Sequence, residues 1–212
     1  MTKFTTLISV LLSVCVSPLF AAEKDTEYYA LKMDGKKIGH VVSTRKVEDN
    51  LVTTTEQTNM TIARAGVSIS INTTDISVET VAGEPVSFSS TQNMSGMKST
   101  TTGKFLPNGK IKINANQMGM VRKNTIEYPE DALMVEGLRL LQIEKGLKPG
   151  TNYTAKLFVP SFQSTVDAEV SVGPKTQVDL FGRVVSLIEV EVTMNSPAGT
   201  VKSTSYVGRD FR

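Results

Sequence analysis

Apolar and polar residues alternate along most of this chain. In Val67-Ser68-Ile69-Ser70-Ile71 every second residue is apolar. Val166, Ala168, Val170 and Val172 share a face opposite Asp167, Glu169 and Ser171, and Ile188, Val190, Val192 and Met194 oppose Glu189, Glu191 and Thr193. Successive side chains of a strand point to opposite faces, so this period of two sets one face on a core and the other in water, as in an antiparallel sheet. Turn chemistry separates the runs at Asp34-Gly35, Glu48-Asp49-Asn50, Ala65-Gly66, Gly83-Glu84-Pro85, Pro107-Asn108-Gly109, Pro149-Gly150, Gly173-Pro174, Phe181-Gly182 and Pro197-Ala198-Gly199. Each supplies a fixed φ or tolerates a positive one. The spacing predicts about ten strands, several of them long.

One stretch breaks the pattern. Pro129 suits a first helical turn, Glu130 and Asp131 carry the negative charge that a helix start favours, and Gly146 suits its stop. Between them Ala132, Val135, Leu138 and Leu141 lie three apart, with Leu140 and Ile143 alongside. The spacing predicts an amphipathic helix over 129–145, packed across a curved antiparallel sheet or half-barrel. No internal repeat, low-complexity tract or linker divides the chain, so residues 23–212 read as one mainly β domain.

Residues 1–22 read as an address. Lys3 gives a short positive start, an apolar run extends from Leu7 to Val16, and Pro18, Ala21 and Ala22 follow. This is the layout of a secretory signal peptide cleaved after Ala21 or Ala22. The run is short for a membrane span, and polar Glu23-Lys24-Asp25 follows at once. An acylated Cys15 fits poorly, because Val14 precedes it. The expectation is an exported protein, periplasmic in a Gram-negative envelope and not integral to the membrane once cleaved. Its single Cys leaves with the signal, so the hydrophobic core must hold the mature chain without a disulfide.

Charge and composition narrow the functional classes. Lys and Arg total 23 against 21 Asp and Glu in 212 residues, a formal charge of +2. That lacks the basic excess of a nucleic-acid binder. The 25 Thr and 24 Val are β-branched and favour extended backbone, which reinforces the strand pattern. His40 is the only His and lies in a strand context; no G-x-S-x-G elbow, Cys–His pairing, zinc-ligand spacing or phosphate loop accompanies it. Neither a catalytic residue nor a cofactor nor a metal is therefore expected. Asn59, Asn72, Asn93 and Asn152 head Asn-x-Ser/Thr triplets, which matter only in a eukaryotic secretory chain.

Two methionine clusters stand out: Met94 and Met97, then Met118 and Met120. Thioethers can bind Cu(I), but at strand spacing they more often fill cores or line adaptable grooves. The candidate ligand groove, between sheet and helix, is accordingly assigned Met94, Met97, Met118, Met120, Leu138 and Leu141.

Several short stretches occur in a familiar order. They are Tyr28 to His40 with its strand–turn–strand Gly35-Lys36-Lys37-Ile38-Gly39, Val81 to Val86, Gly146 to Thr151, Ala155 to Pro160, and Leu180-Phe181-Gly182. In this order the chain resembles the N-terminal β domain of bacterial exported transglutaminase-like proteins and, more distantly, the half-barrels of periplasmic lipoprotein carriers. The resemblance implies an extracytoplasmic curved antiparallel sheet. The Cys, His and Asp of a transglutaminase-like catalytic domain would lie beyond Arg212, so it carries no catalytic residue onto this chain. The leading expectation is a non-catalytic exported domain that binds or scaffolds in the cell envelope, with a lipid, acyl or peptide ligand or an envelope protein as its partner. The alternatives are a carrier of a lipid, acyl chain or peptide, and the front part of a truncated transglutaminase-like enzyme.

Overall fold

The computed structural model describes residues 23–64, 66–180, 182–196 and 199–208. The predicted signal peptide with Cys15, the turn residues Ala65, Phe181, Pro197 and Ala198, and the segment Arg209 to Arg212 lie outside the described residues.

Eight strands follow one another as an antiparallel meander: β1 (Glu23–Met33), β2 (Lys36–Glu48), β3 (Leu51–Arg64), β4 (Val67–Thr80), β5 (Pro85–Met94), β6 (Met97–Leu106), β7 (Lys110–Gln117) and β8 (Met120–Glu127). A short β9 (Ala132–Leu133), helix α1 (Val135–Lys145), β10 (Asn152–Val159), β11 (Ser164–Leu180), β12 (Arg183–Ser196) and β13 (Gly199–Val207) follow. The last five strands form a second sheet in the order β13-β12-β11-β10-β9. The described residues thus hold thirteen strands in two open sheets rather than about ten in one. The extra strands come from runs too polar on both faces to register as alternation; in β8 every residue but Ile126 is exposed.

The helix is shorter than its apolar spacing predicts. Pro129 to Asp131 form a turn, Ala132 and Leu133 belong to β9, and α1 begins after Met134. The reason lies in sheet pairing: β9 runs parallel to β10, Ala132 opposite Lys156 and Leu133 opposite Leu157. Parallel neighbours cannot be joined by a tight hairpin, so α1 is the crossover between them. Gly146 does end the helix, with φ 72° and its N–H on the Gln142 carbonyl.

Register fixes which side chains share the inner face of the larger sheet. One rung runs Val47, Val52, Glu79; the next Arg45, Thr54, Ser77, Phe88, Gly103, Ile113. The dry core sits at this end: Phe88, Ile111 and Ile113 pack with Ala132, Met134 and Phe158, and Phe105, Ile126 and Tyr128 close around them. Phe158 brings the smaller sheet into this core, its ring 5.6 Å from Phe88, 5.8 Å from Tyr128 and 6.2 Å from Phe105. The Phe88 ring lies over Gly103, where an added Cβ would come within 2.1 Å of it. No other residue fits there.

Because Phe158 is buried and joins both sheets, Phe158→Ala should cost about 3–5 kcal/mol of unfolding free energy in urea titration. Tyr28→Ala, at a side chain 78% exposed, should stay within about 0.5 kcal/mol.

Candidate functional site

Helix α1 is seated on charge, not on its apolar stripe. Its fully buried residues are Glu136 and Gly137, while Val135 and Ile143 are exposed and Leu138, Leu140 and Leu141 half-buried. Met134 at the N-cap offers no side-chain oxygen. The cap comes instead from β4: the Glu79 carboxylate accepts the backbone N–H of Glu136 at 2.8 Å and of Gly137 at 3.0 Å, and the Ser77 hydroxyl at 3.2 Å. A carboxylate there satisfies two orphan donors and meets the positive end of the helix dipole. Close approach makes this reachable. Gly83, with φ +82°, lies where an added Cβ would fall 2.8 Å from the Gly137 Cα.

Glu136 in turn projects between two guanidinium groups. Arg45 of β2 donates to both its oxygens, at 2.9 and 2.8 Å, and Arg139 one turn along α1 does the same at 2.9 and 2.7 Å. Glu136 is only 1% exposed, so its charge is compensated almost entirely by these forks. Burial pushes its carboxyl up, but the Arg139 and Arg45 hydrogen bonds and charges prevail and hold it at about 2. Glu79 moves the other way: burial raises it more than its hydrogen bonds lower it, and the Glu136 charge adds to the rise.

Beside this clamp runs a groove between α1 and the sheet. One cleft of about 360 Å³ is floored by Asp25, Glu27, Tyr29 and Glu56 and walled by Arg139 and Gln142 of the helix. A second, of about 320 Å³, is walled by Leu133, Met134, Leu157, Phe158, Val159 and Pro160, with Asp75 on its floor. The two adjoin at Thr54, Glu56, Val135 and Leu138, giving a channel-like groove with an acidic end, which Arg45 and Arg139 of the clamp also line, and an apolar end. Glu56 and Asp75 face each other directly across β3 and β4. Burial first, and then the Asp75 charge, raise the Glu56 carboxyl above its usual 4.5. Tyr29 donates to the Glu27 carboxylate, and burial, that bond and the charges of Glu27, Glu56 and Asp25 push its hydroxyl far up. Among the described residues no three His, Cys, Asp or Glu side chains converge as metal ligands.

Of the six residues assigned to the groove from sequence, the structure places only Leu138 on it. Leu141 is half-buried and lines neither cleft. The four methionines lie elsewhere: Met94 and Met97 flank the β5–β6 turn, Met118 sits in the β7–β8 turn at φ 51°, and Met120 begins β8. That end of the sheet is roughly eight residues along β3 from Val52, or about 25 Å from the helix start. Met94, Met97 and Met120 are strand residues and Met118 is not, and which end of the sheet the helix covers is set by β9 pairing with β10. His40 is an exposed strand residue opposite Asn59, whose amide lies 3.5 Å from its Nε2. The residues that build the site, Arg45, Glu56, Asp75, Glu79 and Glu136, left one trace in the sequence. Glu56, Asp75 and Glu79 occupy inward positions of strands whose other inward residues include Val52, Thr54 and Ser77.

The fold has a solved likeness. The chain aligns over 90% of its length, and 88% of the other chain, with a crystal structure from Brucella abortus described as a β-barrel-like protein of domain of unknown function DUF1849, at TM-score 0.58 and 14% identity. This shows a β-barrel-like fold, here with the sheet left open. That much of the resemblance read from the sequence is shared. No protein-family profile matches the chain, and no curated relative does.

Two outcomes test the clamp. Glu79→Ala strands two buried N–H donors and should lower unfolding free energy by about 2–4 kcal/mol in urea titration. Glu136, with its folded carboxyl depressed, stabilises the fold fully above pH 4.5 and loses that contribution as pH falls toward about 2. Melting temperature should therefore drop steeply over that window, and Glu136→Gln should flatten that part of the profile while lowering stability at neutral pH.

Proposed function

We propose that this chain is a non-catalytic binding domain of the cell envelope, and that its groove holds an extended peptide segment in which a Lys or Arg neighbours an apolar residue. The observation that supports this is the two-ended channel. Asp25, Glu27, Glu56 and Asp75 present carboxylates toward the space beside α1, and Leu138, Leu157 and Phe158 supply apolar wall within the same run. A cation placed over the facing pair Glu56 and Asp75 relieves their mutual repulsion. An apolar neighbour then reaches the second cleft, whose volume of about 320 Å³ is at the small end of ligand sites.

A purely acyl occupant fits less well. Lying along the channel it would strip water from Glu56 and Asp75 without pairing them, and an unpaired buried carboxylate costs several kcal/mol. The signal-like layout of residues 1–22 supports an extracytoplasmic setting, in which peptide segments of envelope proteins are the partners this reading requires.

Calorimetric titration with a capped Leu-Lys-Leu peptide should show binding that Glu56→Gln with Asp75→Asn weakens at least about tenfold. The Leu-Glu-Leu counterpart should not bind. Binding should also weaken on acidification from neutrality, beginning above pH 4.5 because the Glu56 carboxyl is raised, and Asp75→Asn should move that loss to lower pH. Stoichiometric uptake of a fatty acid with no peptide binding would overturn the proposal in favour of a carrier.

A further inference from the structure

The meander brings four hairpin tips to one end of the larger sheet: β1–β2 at Asp34-Gly35, β3–β4 before Val67, β5–β6 at Ser95-Gly96 and β7–β8 at Met118-Gly119. Across eight strands spaced about 4.8 Å apart these tips span roughly 30 Å of the open rim. Each tip offers exposed apolar side chains: Met33, then Val67, then Met97 (55% exposed), then Met118 and Met120 (70% and 62%) with Val121 beside them. Met97 itself closes one rung of the sheet that runs Leu31, Gly39, Met60, Ile71, Met94, Met97, so the apolar character extends across the strands at the level of the β5–β6 tip.

The charge on the same tips is one-sided. Residues 31–37, 66–69, 93–99 and 117–123 hold Lys32, Lys36, Lys37, Lys98, Arg122 and Lys123, all exposed, against the single acid Asp34. The turns at the opposite end, residues 48–51, 80–85, 106–110 and 127–131, hold the acids Glu48, Asp49, Glu84, Glu127, Glu130 and Asp131, of which Glu48, Glu127 and Asp131 are bridged to Lys46, Lys110 and Lys156. Within the larger sheet the basic residues thus gather at one set of turns and the acidic ones at the other, although the chain's formal charge is only +2.

We propose that the basic, methionine-bearing rim is a docking surface for an anionic phospholipid bilayer. Flexible, unbranched Met side chains can enter the headgroup boundary without a shaped partner. The surrounding Lys and Arg meet the anionic headgroups, and the acidic end is repelled outward, which orients the sheet on the surface. A second copy docked rim to rim would set six basic residues against six, so a two-fold dimer through this face is disfavoured. A row of tips across the rim matches an extended surface better than it does a small ligand.

The test uses protein purified from its own cells and sedimented with vesicles, comparing phosphatidylcholine alone with phosphatidylcholine and phosphatidylglycerol in equal parts. Binding is expected only to the anionic vesicles and should weaken as salt rises. Lys98→Glu with Arg122→Glu and Lys123→Glu should weaken it at least about tenfold. Met97→Ser with Met118→Ser and Met120→Ser should weaken it severalfold while keeping the salt dependence. Asp49→Lys with Glu84→Lys and Glu130→Lys, at the other end, should not weaken it. All variants keep residues 1–22 unchanged, so a loss is assigned to the rim, and an unchanged thermal melt shows the fold intact. Equal binding to both vesicle types, indifference to the rim substitutions, or a concentration-dependent head-to-tail polymer formed through the rim in place of vesicle binding would each overturn the proposal.

Discussion

The carboxylate of Glu79 is the point on which α1 rests. It sits at the last inward position of β4, fully buried, and accepts the two backbone donors that a helix starting at Val135 leaves without partners. Because those donors belong to Glu136 and Gly137, the cap fixes both the height of the helix over the sheet and its rotation. The rotation carries Glu136 inward between Arg45 and Arg139, and it leaves Val135 and Leu138 facing the groove. Buried carboxylates are poor sources of net stability, since desolvation offsets most of what their partners supply. What this pair contributes is placement: an apolar stripe alone would let the helix slide or roll on the sheet, whereas two carboxylates with directional partners allow one seat.

The same placement explains why the barrel stays open. In the larger sheet, core packing is concentrated at the end where Phe88, Ile111 and Ile113 meet Phe158, while Val166, Ala168, Val170 and Val172 are buried on the smaller sheet. Further along, the inner face carries Glu56, Thr58, Asp75, Thr73, Gln92 and Thr101, residues that keep their water when the face is open and would lose it if a second layer closed over them. Polar lining and open architecture are thus two views of one constraint. The groove lies at the boundary, where the helix and β10 end and the polar face begins.

Much of this was legible in the chain and some was not. Alternation in β4, β11 and β12, the turn residues, and the single helix ending at Gly146 were all readable, because strand period and turn φ are local properties. The two-residue β9 was not, since its existence depends on β10 lying alongside it. Leu138 was legible as a groove residue from its place on the helix. The acidic floor was not, because Glu56 in one strand and Asp75 in the next become neighbours only through the β3–β4 register. A signal was there in principle: carboxylates at inward-parity positions contradict a dry core, and such contradictions mark sites more reliably than apolar clusters do.

From the chain alone follow a β-rich fold with one helix and a net charge close to zero. Those follow from composition and from periods of two and 3.6, which need no knowledge of neighbours. It took the folded arrangement to show that the helix is held by Glu79 and the Arg45–Glu136–Arg139 clamp, that the methionines gather on the rim and not in the groove, and that basic and acidic turns of the larger sheet lie at opposite ends. Charge and contact depend on distance, and in a meander the turns that share an end alternate along the chain, so their common character emerges only when the strands are laid side by side.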